Sequence, residues 1–256
     1  MAIQPKLMVF DLDGTLAESK QRMSAQMGDL LSELLQKMPV AIMSGGSWKQ
    51  FEKQFLPALP TEENLDRLYI FPDNAAQCFV HKNGAWHPQY DNAFTTTERD
   101  HILQALDEAL AEVGLADPGA KVWGNRIEDR GAEITFSGLG QDAPPEEKRN
   151  WDPDGSKKRA LRDAVAKRLP EFAVGANGST SVDITRKGIT KAYGIKRLTE
   201  MTQISAEQML YVGDALDEGG NDAVVIETGV PTHAVFAPRE TEALIETILH
   251  SHHTAL

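Results

Sequence analysis

The sequence predicts a two-domain α/β protein: a core of parallel strands alternating with helices, interrupted by an inserted α+β module with an antiparallel sheet. Short apolar runs at 7–10, 40–43, 68–71, 209–212 and 234–236 carry the first part of this reading. The first four end at a Gly, Pro, Asp or Ser, and their unbroken hydrophobicity is that of strands buried on both faces. Helical spacing fills the intervals between them at both ends of the chain, giving a βαβα order. The middle instead sets strand-like pairs beside helices, the pattern of an antiparallel α+β module.

Met23, Met27, Leu30, Leu31, Leu34, Leu35 and Met38 lie on one face of a helix after the first strand, and Trp48, Phe51 and Phe55 repeat that spacing after the second. All are read as core. In the middle, Ile102, Leu103, Leu106 and Leu110 mark a helix near 97–113, and two strand-like stretches flank Gly131. A Pro-rich connection spans Ala143 to Pro153, a helix follows near 156–169, and strands are expected at 171–175 and 180–185. Lys157, Lys158, Arg159, Lys167 and Arg168 solvate the outer face of that helix, with Leu161, Val165 and Leu169 inside. Trp123 and Trp151 are read as packing. Ser205 to Gln208 reads as a capping box before the fourth core strand, and 239–249 as a closing helix on Leu244, Ile245, Ile248 and Leu249. His250 to His253 are read as an exposed, disordered end. Residues 1–82 and 187–256 therefore form the core domain and 83–186 the insert.

With 256 residues, 41% hydrophobic and 25% charged, the chain has an ordinary globular composition and length for a full core. A net charge of −12 argues against nucleic acid, whose phosphates require a basic surface. The lone Cys78 has no internal disulfide partner, sits among apolar residues and fits a reducing compartment. No stretch reaches the roughly 18 apolar residues of a membrane span, so the expectation is a cytoplasmic protein without a membrane partner.

The chemistry begins at Asp11, which the first strand releases into the turn Leu12-Asp13-Gly14-Thr15. Carboxylates at the C-terminal end of a parallel strand face the crevice where open α/β sheets bind ligands, and the one at i+2 is expected to leave the turn on the same side. Ser44-Gly45-Gly46 follows the second strand; it either brings a hydroxyl and backbone N–H groups to a phosphoryl oxygen or caps the next helix. Lys191 starts a helix where the chain returns to the core, a place where a lysine is ordinarily a solvated charge. Last comes Gly213-Asp214, running on to Gly219-Gly220-Asn221-Asp222, whose density of Asp suits hard-oxygen ligation of Mg²⁺.

These four segments, in this order, resemble the motifs of the haloacid dehalogenase (HAD) superfamily of phosphotransferases, across nearly the whole chain. The resemblance implies a Rossmann-like HAD core with a parallel sheet and an inserted α+β cap of type 2B. It assigns Asp11 as nucleophile, Asp13 as general acid and base, and Ser44 and Lys191 as holders of the phosphoryl group. Mg²⁺ falls to Asp11, the Asp13 carbonyl and Asp214, with Asp222 orienting metal-bound water. Crowding by other carboxylates is expected to raise the pKa of Asp13.

The chain is similar to the phosphomannomutase branch, through Ser44 to Ser47, Phe71-Pro72-Asp73-Asn74, Glu128-Asp129-Arg130-Gly131, Phe136 to Gly140, Thr180 to Asp183 and Gly219 to Asp222. By position, Arg130 would clamp a distal phosphate and Ser181 and Asp183 would hold sugar hydroxyls, with Gly45 and Gly46 on the transferring group. Three further clamp positions depart from that pattern: Lys20 and Lys148 stand for Arg, and Gln141 for another Arg. Lysine lacks the bidentate fork, and glutamine lacks charge as well. A weakened clamp favours a Mg²⁺-dependent phosphatase of a sugar phosphate or similar small phosphorylated metabolite, with phosphomannomutase the alternative. A non-catalytic phospho-ligand-binding regulator fits less well, because every expected catalytic position is filled. The resemblance also implies a homodimer through the cap.

Overall fold

Strand β1 (Leu7–Asp11) is buried along its whole length, and its neighbours explain why. In this computed structural model, which describes residues 4–117, 119–176 and 179–253, β1 is followed by α1 (Ala25–Lys37), β2 (Val40–Met43), α2 (Trp48–Gln54), β3 (Leu68–Phe71), β4 (Gln77–Lys82) and β5 (Ala85–Asp91). Next come α3 (Thr96–Glu112), β6 (Ile127–Asp129), β7 (Glu133–Ser137), α4 (Pro145–Trp151), α5 (Ser156–Arg168), β8 (Phe172–Gly175) and β9 (Ser181–Arg186). The chain ends with α6 (Lys191–Thr202), β10 (Met209–Gly213), β11 (Thr232–Ala234) and α7 (Pro238–His253).

Two units result: Met1–Asp91 with Ile189–Leu256, and Asn92–Gly188. The first holds a seven-stranded sheet in the order β11-β10-β1-β2-β3-β4-β5. Strands β11 to β3 are parallel, and β4 and β5 add an antiparallel hairpin at the edge. Alternation along the strands sorts the core into two layers. Met8, Phe10, Val40, Ile42 and Val212 face α1, α2 and α7, while Leu7, Val9, Ala41, Met43 and Tyr211 face α6.

The second unit holds an antiparallel sheet in the order β6-β7-β9-β8. Ile134, Phe136, Val182 and Ile184 pack on Ile102, Leu106, Leu161 and Val165 of α3 and α5. Alternation sends Glu133, Thr135 and Ser137 of β7, with Ser181 and Asp183 of β9, to the opposite face. Thr95 and Glu98 close a capping box at the start of α3, and Arg186 grips both oxygens of Glu98 at 2.7 Å.

Several expectations are corrected. Residues 83–91 belong to the core sheet, because β5 pairs with β4; the insert begins at Asn92. Ser205 makes no side-chain cap and precedes only a short 3-10 turn. The last strand is Thr232–Ala234, two residues earlier than read. Proline 145, taken as part of an irregular connection, opens α4, where its fixed φ and missing N–H are tolerated. The closing helix runs on to His253. Cys78 is buried in β4, and burial pushes its thiol up to about 12, which leaves it unreactive.

Candidate active site

Chain order reverses direction at β1: the segments after it add β2 and β3 on one side, and the returning chain adds β10 on the other. Ligands bind at such switch points, beyond the carboxyl ends of the strands. Asp11 closes β1 there, and Asp214 follows β10 directly.

Asp11 continues the face of Leu7 and Val9, the face covered by α6, and its carboxylate is bonded to the Lys191 ammonium. Lys191 is the first residue of α6 and is 1% exposed, unlike an ordinary lysine at a helix start. Its Nζ also donates to Asp222 Oδ1 at 2.6 Å. Tyr211, buried in β10, donates its hydroxyl to that same oxygen at 2.5 Å, and the N–H of Ala215 reaches Asp222 Oδ2 at 3.2 Å. Burial pushes the Asp11 carboxyl up to about 7 against the pull of Lys191, with Asp222 and Asp214 adding to the rise. For Lys191, burial opposes the charged form, but Asp11 and Asp222 outweigh it and raise the ammonium's pKa.

Carboxylate oxygens of Asp11, Asp214 and Asp222 lie within 4.8 Å of one another. Two glycines make this approach possible. A Cβ on Gly14, which has φ +85°, would fall 2.2 Å from Asp214 Oδ2, and one on Gly213 would fall 2.5 Å from Asp222 Oδ2. Three hard anionic oxygen donors around one point fit a small divalent cation such as Mg²⁺.

Asp13 does not leave the turn towards α6 with Asp11. Its carboxylate meets α2, accepting from Gln50 at 2.8 Å and Gln54 at 2.9 Å, and from the main-chain N–H of Lys20 at 2.7 Å. Its hydrogen bonds come from amide donors, and its charge also reaches the Asp214 carboxylate, so a carboxylate neighbour is there as expected. Lys20 contributes through its backbone, in a left-handed conformation at φ 59°, while its side chain is exposed. Ser44 is buried after β2, and its Oγ accepts from the N–H of Gly46 at 2.9 Å, which leaves its own O–H to donate. That N–H of Gly46 is therefore engaged within the turn. Beside the turn, Asp73, Asn74 and Ala75 all carry positive φ, and Asn74 lies against Gly45.

In the second unit, Arg130 is spanned by Glu128 and Glu133, each at 2.8 Å. Burial pushes Glu133 up to about 7, Asp183 adds to the rise, and Arg130 opposes it. Asp183 pairs in register with Thr135, and Ser181 with Ser137, on the polar face of the sheet. Lys148 donates to the main-chain oxygen of Gln141 at 2.9 Å.

A buried carboxylate held against a lysine, with more carboxylates to gather a cation, is equipped to bring one anion to another. On a parallel sheet whose chain leaves for an α+β insert and returns as α6, that equipment belongs to HAD-type phosphoryl-transfer enzymes, and this protein is an enzyme of that type. A family model described as eukaryotic phosphomannomutase matches residues 27–251, so the chain belongs to that family. It is similar to a probable phosphomannomutase of Caenorhabditis elegans, 24% identical over 257 residues and covering 95% of each chain. With a phosphomannomutase of Encephalitozoon cuniculi it shares 26% identity over 225 residues, 84% of this chain and 82% of the other. A haloacid dehalogenase-like hydrolase of Bacteroides thetaiotaomicron shares the fold, with a TM-score of 0.67 at 18% identity over 96% of this chain and 99% of that one.

Gln50, Gln54, Tyr211 and Glu133 went unnoticed in the sequence. Only the i,i+4 spacing of the two glutamines gave a usable signal.

Proposed function

We propose that the protein hydrolyses a small sugar phosphate or similar phosphomonoester through a phosphorylated Asp11. The carrying observation is the Asp11 carboxylate, buried against Lys191 with Asp214 and Asp222 alongside. Asp11 attacks phosphorus while Asp13 gives a proton to the leaving oxygen, which departs with the electron pair of its P–O bond. Water then attacks the phosphorus, passes a proton to Asp13 and displaces the Asp11 carboxylate, releasing inorganic phosphate. Lys191 favours the ionised Asp11 against the opposing effect of burial, and the Ser44 hydroxyl donates to a phosphoryl oxygen, with Gly45 beside it. Asp11, Asp214, Asp222 and the Asp13 carbonyl would hold Mg²⁺, which when bound offsets the repulsion between carboxylate and phosphate.

Water is favoured as acceptor because the cap groups that a mutase would use on a second phosphate are committed elsewhere. Arg130 is already bracketed by Glu128 and Glu133, Gln141 is neutral, and Lys148 is bonded to a backbone oxygen. Family membership and the names of the relatives support the second reading, phosphomannomutase. The single cysteine suits a cytoplasmic enzyme, and no helix among the described residues is long and apolar enough to cross a membrane.

The test is incubation with Mg²⁺ and mannose 1-phosphate or glucose 1-phosphate, with and without a hexose bisphosphate, measuring phosphate and the 6-phosphate isomer. Phosphate outpacing isomer supports hydrolysis; isomer outpacing phosphate establishes the mutase. Asp11→Asn should abolish either activity.

A further inference from the structure

The Asp13 carboxylate is gripped from the side of α2. Gln50 Nε2 donates to its Oδ2 at 2.8 Å and also to Gln54 Oε1 at 2.7 Å, while Gln54 Nε2 returns to Asp13 Oδ1 at 2.9 Å. Asp13 and the two amides thus close a ring of hydrogen bonds, with the Lys20 N–H as a further donor at 2.7 Å. Positions i and i+4 put both glutamines on one face of α2. Gln54 is 3% exposed beside the buried Phe51 and Phe55, where a primary amide without partners would be destabilising. A Cβ on Gly46 would lie 2.0 Å from Gln50 Oε1, so the bare backbone there makes room for the amide.

We propose that Gln50 and Gln54 are positioning residues for proton transfer by Asp13. With Oδ1 taking two donors, Gln54 and the Lys20 N–H, and Oδ2 one, the carboxyl plane is fixed about its Cβ–Cγ bond, and the remaining lone pair of Oδ2 is the one left to carry the proton. This inference rests on the reading of Asp13 as the group that protonates the leaving oxygen as its bond to phosphorus breaks. Misdirection of such a group by about 1 Å lowers rates about a hundredfold.

Two esters separate this role from a merely structural one. The p-nitrophenolate of p-nitrophenyl phosphate departs without a proton, whereas the alkoxide of a sugar or alkyl phosphate needs one. The ratio kcat/KM reports the step up to Asp11 phosphorylation, so Gln54→Met and Gln50→Met should lower it about 10- to 100-fold on the alkyl ester and less than about threefold on the aryl ester. KM should stay near its wild-type value. Having both variants keeps the test open if one fails to fold. Equal losses on the two esters, or no loss on either, would overturn the positioning role while wild-type turnover that Asp11→Asn abolishes leaves the nucleophile reading intact. Wild-type protein inert towards both esters would overturn both.

Discussion

Replacing Glu133 by Gln should stabilise the protein at alkaline pH and leave it almost unchanged in acid. The side chain is 9% exposed on β7, and its carboxyl rises from the ordinary 4.5 to about 7 because burial, with Asp183 next in weight, outweighs the attraction of Arg130. Below about pH 4 the group is protonated in both folded and unfolded chains and affects neither. As pH climbs towards 7, the unfolded chain loses this proton first, so the wild-type fold is progressively destabilised, by about 3 kcal/mol once the folded group has ionised. Glutamine keeps the shape and has no charge to bury. Urea unfolding of both proteins at about pH 4 and about pH 8, followed by tryptophan fluorescence, should therefore show the variant's relative stability rising by about 3 kcal/mol between the two conditions. Constant differences between amide and acid cancel in that comparison. A flat difference would refute dominance of burial, and a reversed sign would mean that Arg130 holds Glu133 ionised.

Lys191→Met strips the shared cation from Asp11 and Asp222; urea unfolding should show a loss of about 3–5 kcal/mol, and turnover should vanish. Tyr211→Phe removes one donor from Asp222, which keeps Lys191 and the Ala215 N–H. Its expected loss of stability is about 1.5 kcal/mol, the low end for a hydrogen bond to a charged group, and a loss above about 4 kcal/mol would contradict that sharing of donors. A chelator should stop turnover and added Mg²⁺ restore it, whereas a rate indifferent to the chelator would remove Asp11, Asp214 and Asp222 as a metal site.

The central strands were legible because each is buried on both faces, so hydrophobicity alone marks it. Strands β4 and β5 escaped because an edge hairpin has one wet side, and Gln77, His81, His87 and Gln89 dilute its pattern. Proline 145 concealed α4, since the residue that ends a helix inside it also starts one at its first turn. At the site, Asp11, Ser44 and Asp214 stood out by their place at strand ends, while Lys191 was picked out only by the resemblance to a known family. Gln50 and Gln54 did not, because the aromatic spacing of α2 drew its inward face as Trp48, Phe51 and Phe55. Tyr211 passed as strand filler: nothing in sequence tells a hydroxyl that meets a buried carboxylate from one that meets solvent. Glu133 shows the same limit: Arg130 is a local neighbour three residues away, but Asp183, which adds to the rise in its pKa, is brought beside it only by the pairing of β7 with β9.

The two ends of the seven-stranded sheet have a bearing on how this protein behaves in concentrated solution. On one side the last strand is only three residues long, Thr232 to Ala234, and all of it is exposed. On the other, β5 places Pro88 mid-strand opposite Phe79, where the missing N–H interrupts any ladder an incoming strand would build. Neither border offers a long unpaired row of donors and acceptors for a second molecule to copy. Edge-to-edge pairing of native sheets is therefore disfavoured at both borders.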